Sequence, residues 1–374
     1  MGVPILITVS QLFQAYADCR RNKANTDAAR AFEMNLERNL LDLLAELQAG
    51  TWQPRAAGVF VAMHPKPREV WAASFRDRIV HHLLYNEVRG LFEPSFLADC
   101  SASIKGRGTH YAAKRLRKHL RRVTENWTRT AFVLKADIAS FFVSIRHDDV
   151  IALLRRRIRD PEMFAIAERL VRQDVKIGAI IRCPRENLTL IPPRKSLFHA
   201  PNGVGLPIGN LSSQFFANVL LDPMDQMIHR KLRISRYVRY VDDIVLVDRD
   251  PKRLLAAADA IREHLAGNGL QLAESKTAIH RADKGIDFVG QVIRPFRHSA
   301  RPKTIRMAVK RVMTVPLEEL AVTTTSYLGL LRERGSRRQR ITIARAGRTR
   351  GLLFDRNLTK TTGRRPVSIA RTAP

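Results

Sequence analysis

Two adjacent carboxylates, Asp242 and Asp243, interrupt an apolar run at residues 236–247. The run otherwise has the pattern of a strand, a tight turn and a second strand, which places the acids at the turn of a hairpin. Neighbouring acids that are partly buried repel each other, and a divalent cation would offset their charge. A solvated hairpin turn is the simpler interpretation of this motif alone. Choosing between that turn and a metal site requires evidence from other segments of the chain.

A third acid supports the metal interpretation. Asp137 lies near the end of the strand-like run 131–138, upstream of the hairpin. Together with Asp242 it predicts a site for two divalent metal ions, which would stabilise the attacking and leaving oxygens of a phosphoryl transfer. Hard oxygen ligands favour Mg²⁺, with Mn²⁺ as the alternative. The Ile138 carbonyl is a further predicted ligand, and Asp243 is predicted to be a ligand or to lie beside the ligands.

Two further residues suggest contacts with a nucleotide. Phe142 follows Asp137 closely, and a ring there would sit under the sugar, exclude a 2′-hydroxyl and select deoxynucleotides. The alternative is a core phenylalanine. Lys276 is predicted to reach the leaving pyrophosphate, and its alternative is an exposed lysine at a strand end.

Four cations flank short turns upstream of the acids: Lys66, Arg68, Lys105 and Arg107. Guanidinium and ammonium groups bind phosphate oxygens, and arginine does so in a bidentate manner. We predict that they clamp a nucleoside triphosphate. Contacts to the template backbone are the alternative for each of them.

Composition restricts the class of partner. The chain has 374 residues, 45% of them hydrophobic, a formal net charge of +30 and a pI near 11.2. Such a charge predicts a polyanionic partner, with nucleic acid as the leading candidate and an anionic membrane surface as the alternative. The sequence has no apolar run long enough to span a membrane. Three widely spaced cysteines predict a reduced, cytoplasmic protein.

Hydrophobic periodicity predicts the elements that position these residues. Single helices are expected over 27–49, 75–90 and 147–173. Another is expected from Ser212 or Ser213, and Pro223 should break it or start a new helix capped by Asp222. The last 80 residues hold 19 Lys or Arg against 4 Asp or Glu, half of the chain's net charge. They predict a small basic helical unit whose tail frays after about residue 355.

Five motifs stand in the order of the palm motifs of reverse transcriptases, and the chain resembles that family from about residue 10 to 335. The motifs are DIASFF at 137–142, GLPIGNLSSQ at 205–214, YVDD at 240–243, SKT at 275–277 and FVG at 288–290. The resemblance implies an α+β right-hand polymerase with fingers at 1–130, a palm with an antiparallel sheet at 131–294, and a basic helical thumb and C-terminal tail at 295–374.

The resemblance also implies roles for individual residues. Asp137, Asp242 and Asp243 correspond to the catalytic carboxylates, and Phe142 falls at the position that selects the sugar. The family's nucleotide-binding positions fall on the following residues: Ile208, Gly209, Gln214 and Tyr240. Template RNA, an RNA–DNA hybrid and deoxynucleoside triphosphates are the implied partners.

One segment distinguishes groups within the family. Most members carry Gln before the glycine of the middle motif and Ser-Pro at its end, where this chain has Ile208-Gly209 and Ser213-Gln214. These residues look like those of the diversity-generating retroelement enzymes, and so do the segments 75–82, 106–110 and 326–329. Those enzymes copy a template-repeat RNA with errors at adenines and work with a small basic accessory protein. Ile208 in place of a polar side chain would relax base selection.

Three functions remain open from the sequence. The first is the RNA-directed DNA polymerase of a diversity-generating retroelement. The second is a reverse transcriptase that serves antiviral defence or another bacterial retroelement. The third is a catalytically inactive RNA-binding protein on the same fold, which the intact Asp137, Asp242 and Asp243 argue against.

Overall fold

The computed structural model describes residues 7–21, 23–63 and 66–364 and shows a mixed α+β fold. Its α-helices are α1 (Val9–Arg20), α2 (Asp27–Glu33), α3 (Leu36–Gln48), α4 (Phe75–Phe92), α5 (Thr109–Val123), α6 (Phe141–Ser144), α7 (His147–Arg155), α8 (Pro161–Arg172), α9 (Arg185–Thr189), α10 (Leu211–Gln226), α11 (Pro251–Gly267), α12 (Pro302–Thr314), α13 (Leu317–Arg334) and α14 (Arg337–Arg348).

The strands form four sheets. They are β1 (Gly58–Ala62), β2 (Arg68–Ala72), β3 (Phe132–Asp137), β4 (Ile180–Ile181), β5 (Tyr237–Tyr240), β6 (Asp243–Asp248), β7 (Ala278–Arg281), β8 (Ile286–Phe288), β9 (Gln291–Arg294), β10 (Arg297–Ala300), β11 (Leu352–Phe354) and β12 (Thr361–Arg364). The sheet orders are β2-β1-β4, β5-β6-β3-β7, β10-β9-β8 and β11-β12.

The central sheet, β5-β6-β3-β7, is antiparallel throughout. One face packs on a large core shared with α7, α10 and α11, to which Leu134, Ile244 and Leu246 contribute. The other face packs against α5 and the β8–β9 hairpin through Val133 and Val245. Because both faces are covered, β3 and β6 carry apolar residues at successive positions instead of alternating ones. This burial fixes the ends of the strands on which Asp137 and Asp243 lie.

The segment from about residue 174 to 209 lies against the β1–β2 hairpin. Its short strand β4 pairs in parallel with β1, and Trp71 N donates to Ile208 O at 2.7 Å. Glu69 is buried there and accepts hydrogen bonds from Ser196 Oγ at 2.5 Å and Leu197 N at 2.9 Å. The proline and arginine residues of 176–205 predict a loop or hairpin, and the buried polar contacts of Glu69 hold this stretch against β2.

The C-terminal helices have a hydrophobic core of their own. α12, α13 and α14 pack around Ala308, Val312, Leu320, Leu328, Leu331 and Ile343. Gln339 of α14 hydrogen bonds to both the backbone N and the backbone O of Ala300, at 3.1 and 2.9 Å, and so attaches this unit to β10. The predicted frayed tail is wrong for residues 355–364, because β12 pairs with β11 and Asp355 accepts from Lys360 N at 2.9 Å.

Two predicted long helices are each divided in two. The helix expected over 27–49 is broken between α2 and α3 at Met34 and Asn35, where Asn35 has φ −133° and ψ 49°. The helix expected over 147–173 ends at Arg155 and restarts at Pro161. Proline at the first position needs no N–H partner, and Asp160 caps the new helix by accepting from Met163 N at 2.8 Å.

Pro223 does not break its helix as predicted. α10 continues through it to Gln226 and then passes into a π-helical turn at Met227–Lys231. Most of α10 is buried, so tertiary packing offsets the hydrogen bond that proline removes. Asp222, predicted as a cap, instead accepts from Ser95 Oγ at 3.0 Å.

None of the helices in the described ranges is long and apolar enough to cross a lipid bilayer.

Candidate active site

Three carboxylates lie at one edge of the central sheet. Asp137 is the last residue of β3 and is paired directly across the sheet with Asp243, the first residue of β6. Asp243 also pairs with Tyr240, so Val241 and Asp242 form the two-residue turn of the β5–β6 hairpin. Val241 has φ +58°, a left-handed conformation that costs energy for a β-branched residue. The strand register thus brings Asp137, Asp242 and Asp243 together from two distant segments of the chain.

Burial and repulsion between neighbouring carboxylates disfavour the charged forms of Asp242 and Asp243. Burial, together with the nearby charge of Asp137, raises the pKa of Asp242 to about 6. Burial also raises the pKa of Asp243; the charge of Asp137 adds to this effect, and the Lys135 ammonium opposes it. The edge of the sheet is therefore a concentration of partly buried negative charge that a cation would stabilise.

Lys276 supplies one such cation. It ends a short 3₁₀ turn, Glu274–Lys276, and its Nζ forms an ion pair with Asp137 Oδ2. Ala273 N donates to Asp137 O at 2.7 Å, and this bond fixes the turn beside the end of β3. The Lys276 side chain is 57% exposed, so it can move away from Asp137 at little cost. The structure places this predicted residue against a carboxylate; its role toward pyrophosphate stays a prediction.

The chemistry of this donor set fits hard divalent cations. Carboxylate and carbonyl oxygens are the ligands that Mg²⁺ prefers, and the candidates are Asp137, Asp242, Asp243 and the Ile138 carbonyl. Over the described part of the chain, no three Asp, Glu, His or Cys side chains are grouped so that they could hold a metal ion as they stand. The Lys276 ammonium is paired with the Asp137 carboxylate. The lysine side chain would have to move away before that carboxylate could bind a metal.

A buried ion pair beneath the hairpin supports its turn. Arg239 and Asp225 are 1% and 0% exposed, and their side chains form a bidentate pair with N–O distances of 2.9 and 2.7 Å. Arg239 Nη1 also donates to Val241 O at 3.0 Å, which holds the strained turn residue next to Asp242. The same Asp225 accepts from Cys100 Sγ at 2.8 Å and from Tyr237 Oη. These bonds couple the acidic turn to α10 and to the loop around residue 100.

Arg239 and Asp225 are not among the residues predicted from the sequence. The signal was a single arginine within an otherwise apolar strand, which requires a buried partner if the strand is covered. The sequence does not show that this partner comes from α10.

The middle motif, residues 205–214, lies between Phe142 and the β1–β2 hairpin. Phe142 is half-buried, its ring centroid is 5.3 Å from that of Phe141, and its carbonyl accepts from Leu206 N at 2.7 Å. Gly209 has φ +127°, and a Cβ there would meet Trp71 O at 2.4 Å, so this position requires glycine. Ile208 is half-buried, and its backbone is tied to the same Trp71.

Gln214 joins the middle motif to the loop that carries two of the predicted phosphate clamps. Its exposed side chain accepts a hydrogen bond from Ser103 Oγ at 2.6 Å. Arg107 of that loop donates to Leu97 O at 2.9 Å and to Cys100 O at 3.0 Å, so its guanidinium stabilises the loop. Lys105 is exposed.

Lys66 and Arg68 lie exposed at the β1–β2 turn. Within the part of the chain that the structure describes, none of the four predicted clamps forms a hydrogen bond or ion pair with the three carboxylates. Their contact with a triphosphate stays a prediction.

The three carboxylates at the sheet edge lie within the part of the chain that matches a known protein family. The family described as reverse transcriptase (RNA-dependent DNA polymerase) matches residues 65–293, which is more than half of the chain. The chain therefore belongs to the reverse transcriptase family, and its enzyme class is RNA-directed DNA polymerase. Its α+β fold, with an antiparallel palm sheet and a helical C-terminal unit, is that of a right-hand polymerase.

Two curated relatives resemble the chain over different lengths. Protein YkfC of Escherichia coli strain K12 is 26% identical over 83% of this chain and 82% of its own. An uncharacterised 91 kDa protein in the cob intron of Schizosaccharomyces pombe is 27% identical over 43% of this chain and 17% of its own.

Solved telomerase structures are similar at 10% identity. Apo telomerase from Candida tropicalis has a TM-score of 0.49 and matches 79% of this chain. Telomerase from Candida albicans in complex with a fragment of telomeric RNA has a TM-score of 0.46 and matches 78%. The chain spans 57% and 60% of the lengths of those two proteins.

Proposed function

We propose that this chain makes cDNA from an RNA template by two-metal-ion nucleotidyl transfer. The observation that carries the proposal is the pairing of Asp137 with Asp243 across the sheet, with Asp242 in the adjoining turn, in a member of the reverse transcriptase family. Reverse transcriptases generally depend on divalent metals, and the oxygen donors here favour two Mg²⁺ ions, with Mn²⁺ as the alternative. Deoxynucleoside triphosphates, template RNA and the RNA–DNA hybrid are the proposed substrates and partners.

The proposal assigns a role to each residue of the site. When bound, the metals supply charge stabilisation for the attacking and leaving oxygens. The negative charges of Asp137 and Asp242 would attract the metals, and the charge of Asp243 would add to this attraction. The Phe142 ring would limit the space under the sugar of the nucleotide. Lys276, which is 57% exposed beside Asp137, would donate to the leaving pyrophosphate after it separates from Asp137.

Lys276→Gln tests the lysine. Because the substitution removes a cation proposed to donate to the leaving pyrophosphate, we expect the rate of single-nucleotide incorporation to fall by at least about tenfold. The affinity for primer–template should stay within about twofold. Rapid-quench kinetics measure both quantities. Lys284→Gln is the matched control, since Lys284 is an exposed lysine on the next 3₁₀ turn. If both variants incorporate nucleotides at the wild-type rate, Lys276 is an exposed strand-end residue without a role in the reaction.

For the biological role we propose the error-prone polymerase of a diversity-generating retroelement. Support comes from Ile208-Gly209 and Ser213-Gln214 in the middle motif and from the half-buried, apolar Ile208 side chain beside Gly209. An apolar side chain cannot hydrogen bond to the nucleotide or the template, so base selection there rests on shape alone. A small basic accessory protein is part of this proposal.

Ile208→Gln tests the link between this residue and fidelity. We expect the distribution of errors, above all opposite template adenines, to change by several-fold, while the overall rate changes less. Sequencing of cDNA made on a defined RNA template gives the error spectrum. Ile208→Val keeps the apolar character and is the matched control. An error spectrum that is the same in all three proteins would contradict this role.

A second candidate is a reverse transcriptase of another retroelement or of an antiviral defence system. The similarity to a protein in the cob intron of Schizosaccharomyces pombe favours an intron-type element. Accurate cDNA, and a gene neighbourhood without an accessory gene or paired repeats that differ at adenines, would favour this candidate. The inactive RNA-binding alternative requires that the intact carboxylates have no catalytic use.

We also propose fingers at 1–130, palm at 131–294 and thumb with tail at 295–374. The separate core of α12–α14 supports a distinct thumb. Besides side-chain and helix contacts, two strand pairings cross these limits, since β10 pairs with β9 and β4 pairs with β1.

A further inference from the structure

A basic cleft lies between α5 and the β9–β10 hairpin. Its volume is about 810 Å³, in the size range of ligand sites. Five cations of α5 line one side: Lys114, Arg117, Lys118, Arg121 and Arg122. Arg294 and Arg297 line the other side. We call this cavity the α5 cleft.

The cations of the α5 cleft lack carboxylate partners within ion-pair distance among the described residues. Among the described residues, its lining contains no Asp or Glu, and its seven Lys and Arg residues form no ion pair with a carboxylate. Arg117 instead contacts the His298 ring, with its Nη1 2.9 Å from Nδ1, which joins α5 to β10. Lys118, Arg121 and Arg122 are exposed. Seven cations around one cavity repel each other, so an anion would stabilise this arrangement.

The cleft is at the end of the central sheet opposite the carboxylates. Asp248 pairs with Phe132 at the start of β3, and the next residue, Arg249, donates from Nε to Val123 O at the end of α5 at 2.7 Å. Asp137 is at the other end of β3, about 17 Å away for a six-residue strand. The cleft is therefore separate from the site of nucleotide transfer.

Two aromatic rings lie within the cationic lining. Phe296 is 81% exposed at the β9–β10 turn, and Trp127 is half-buried after the end of α5. Rings beside cations are the combination that binds unpaired nucleotides, because bases stack on the rings while phosphates contact the cations. Paired bases inside a duplex would not be available for such stacking.

We propose that the α5 cleft binds a single-stranded segment of RNA, outside the path of the primer–template. Its occupant is anionic, so the small basic accessory protein considered above does not match it in charge. A protein with this cleft would keep hold of an RNA through a segment that is not being copied. RNA binding in the α5 cleft is independent of catalysis, because the cleft residues are distinct from the carboxylates and are expected to bind RNA in an Asp242→Asn protein as well.

The test measures RNA binding to the α5 cleft while a primer–template occupies the site of nucleotide transfer. The protein is first saturated with an unlabelled, short RNA–DNA primer–template, and a fluorescein-labelled oligouridylate of about twenty nucleotides is then titrated by anisotropy. In the variant Lys118→Ala, Arg121→Ala, Arg122→Ala, we expect the Kd to rise by at least about tenfold. The slope of log Kd against log salt should fall by about 2, since each lost phosphate contact removes about 0.7 on a single strand. Primer extension on the short substrate should stay within about twofold of wild type.

The matched control removes three exposed cations elsewhere, in the variant Arg156→Ala, Arg159→Ala, Lys252→Ala. It lowers the net charge equally and should leave oligouridylate binding within about twofold. A second variant, Phe296→Ala, changes no charge and should weaken binding several-fold with an unchanged salt slope.

Several results would overturn the proposal. An equal loss in the control triple variant would show that net charge alone binds the RNA. A parallel loss of primer extension would assign the cleft to the catalytic path. If a short RNA duplex displaced the labelled RNA as strongly as unlabelled oligouridylate does, unpaired bases would not be needed for binding. Binding of anionic lipid vesicles without binding of oligouridylate would assign the cleft to a membrane surface.

Discussion

Asp242→Asn should reduce cDNA synthesis by at least about a thousandfold, which corresponds to about 4 kcal/mol of transition-state stabilisation. The substitution keeps the size of the side chain and removes the negative charge in the turn between β5 and β6. Because that charge is proposed to hold the metals that stabilise the reacting oxygens, the chemical step should fail while RNA binding is largely preserved. Primer extension under single-turnover conditions measures the loss.

The unfolding temperature of Asp242→Asn shows whether a loss of activity comes from unfolding. The pKa of Asp242 is raised to about 6, first by burial and then by Asp137. A raised pKa means that the ionised carboxylate destabilises the folded protein above that pH, so the neutral Asn should unfold at the wild-type temperature or above it. Asp259→Asn, at an exposed acid on α11, is the matched control and should keep full activity. Substantial polymerisation by Asp242→Asn would remove Asp242 from the proposed metal site.

Arg239→Met should lower the free energy of unfolding by about 3–5 kcal/mol, the cost of leaving one partner of a buried ion pair unpaired. Asp225 would keep only Tyr237 and Cys100 as donors, and Val241 O would lose the Arg239 bond of 3.0 Å. We also expect cDNA synthesis to fall by at least about a hundredfold, because the turn that carries Asp242 would no longer be fixed. Urea unfolding and primer extension measure the two effects.

A double variant separates stability from positioning. Arg239→Met with Asp225→Leu removes both charges, and replacing a buried pair with apolar residues is often neutral or stabilising. We expect most of the lost stability to return in this protein, while the rate of nucleotide incorporation stays low because Val241 O still lacks its donor. Full recovery of the rate would show that the ion pair only stabilises the fold.

The secondary structure around the carboxylates was predictable because it depends on local patterns. A buried apolar run ending at Asp137 and a hairpin with Asp242 at its turn agree with β3, β5 and β6 in the structure. The predicted right-hand polymerase fold is confirmed by the antiparallel sheet and the family match. The roles of the individual site residues stay predictions.

Other features depend on contacts between distant segments, which local patterns do not contain. The helix over 147–173 was predicted as continuous, although Pro161 is a clear start signal once Asp160 is recognised as its cap. Pro223 was predicted to end α10, but burial on several sides keeps the helix intact. The pairing of Arg239 with Asp225 joins a strand to a helix, so only the three-dimensional structure shows it.

Arg107 illustrates the limit of reasoning from residue type. An arginine in a glycine-containing loop suits a phosphate, yet its guanidinium donates to Leu97 O and Cys100 O. The backbone carbonyls of a folded loop compete with a ligand for the same donors. The sequence does not show whether the guanidinium binds the carbonyls or the ligand.

The most direct test of the central claim is primer extension on a defined RNA template with Mg²⁺ and deoxynucleotides, followed by sequencing of the product, with Asp242→Asn alongside. The protein should be supplied both alone and with its neighbouring RNA and small basic accessory protein. We predict full-length cDNA from the wild-type protein only, with errors concentrated opposite template adenines. A wild-type protein that makes no cDNA under either condition, or an Asp242→Asn protein that makes as much, would contradict the assignment of these carboxylates to RNA-directed DNA synthesis.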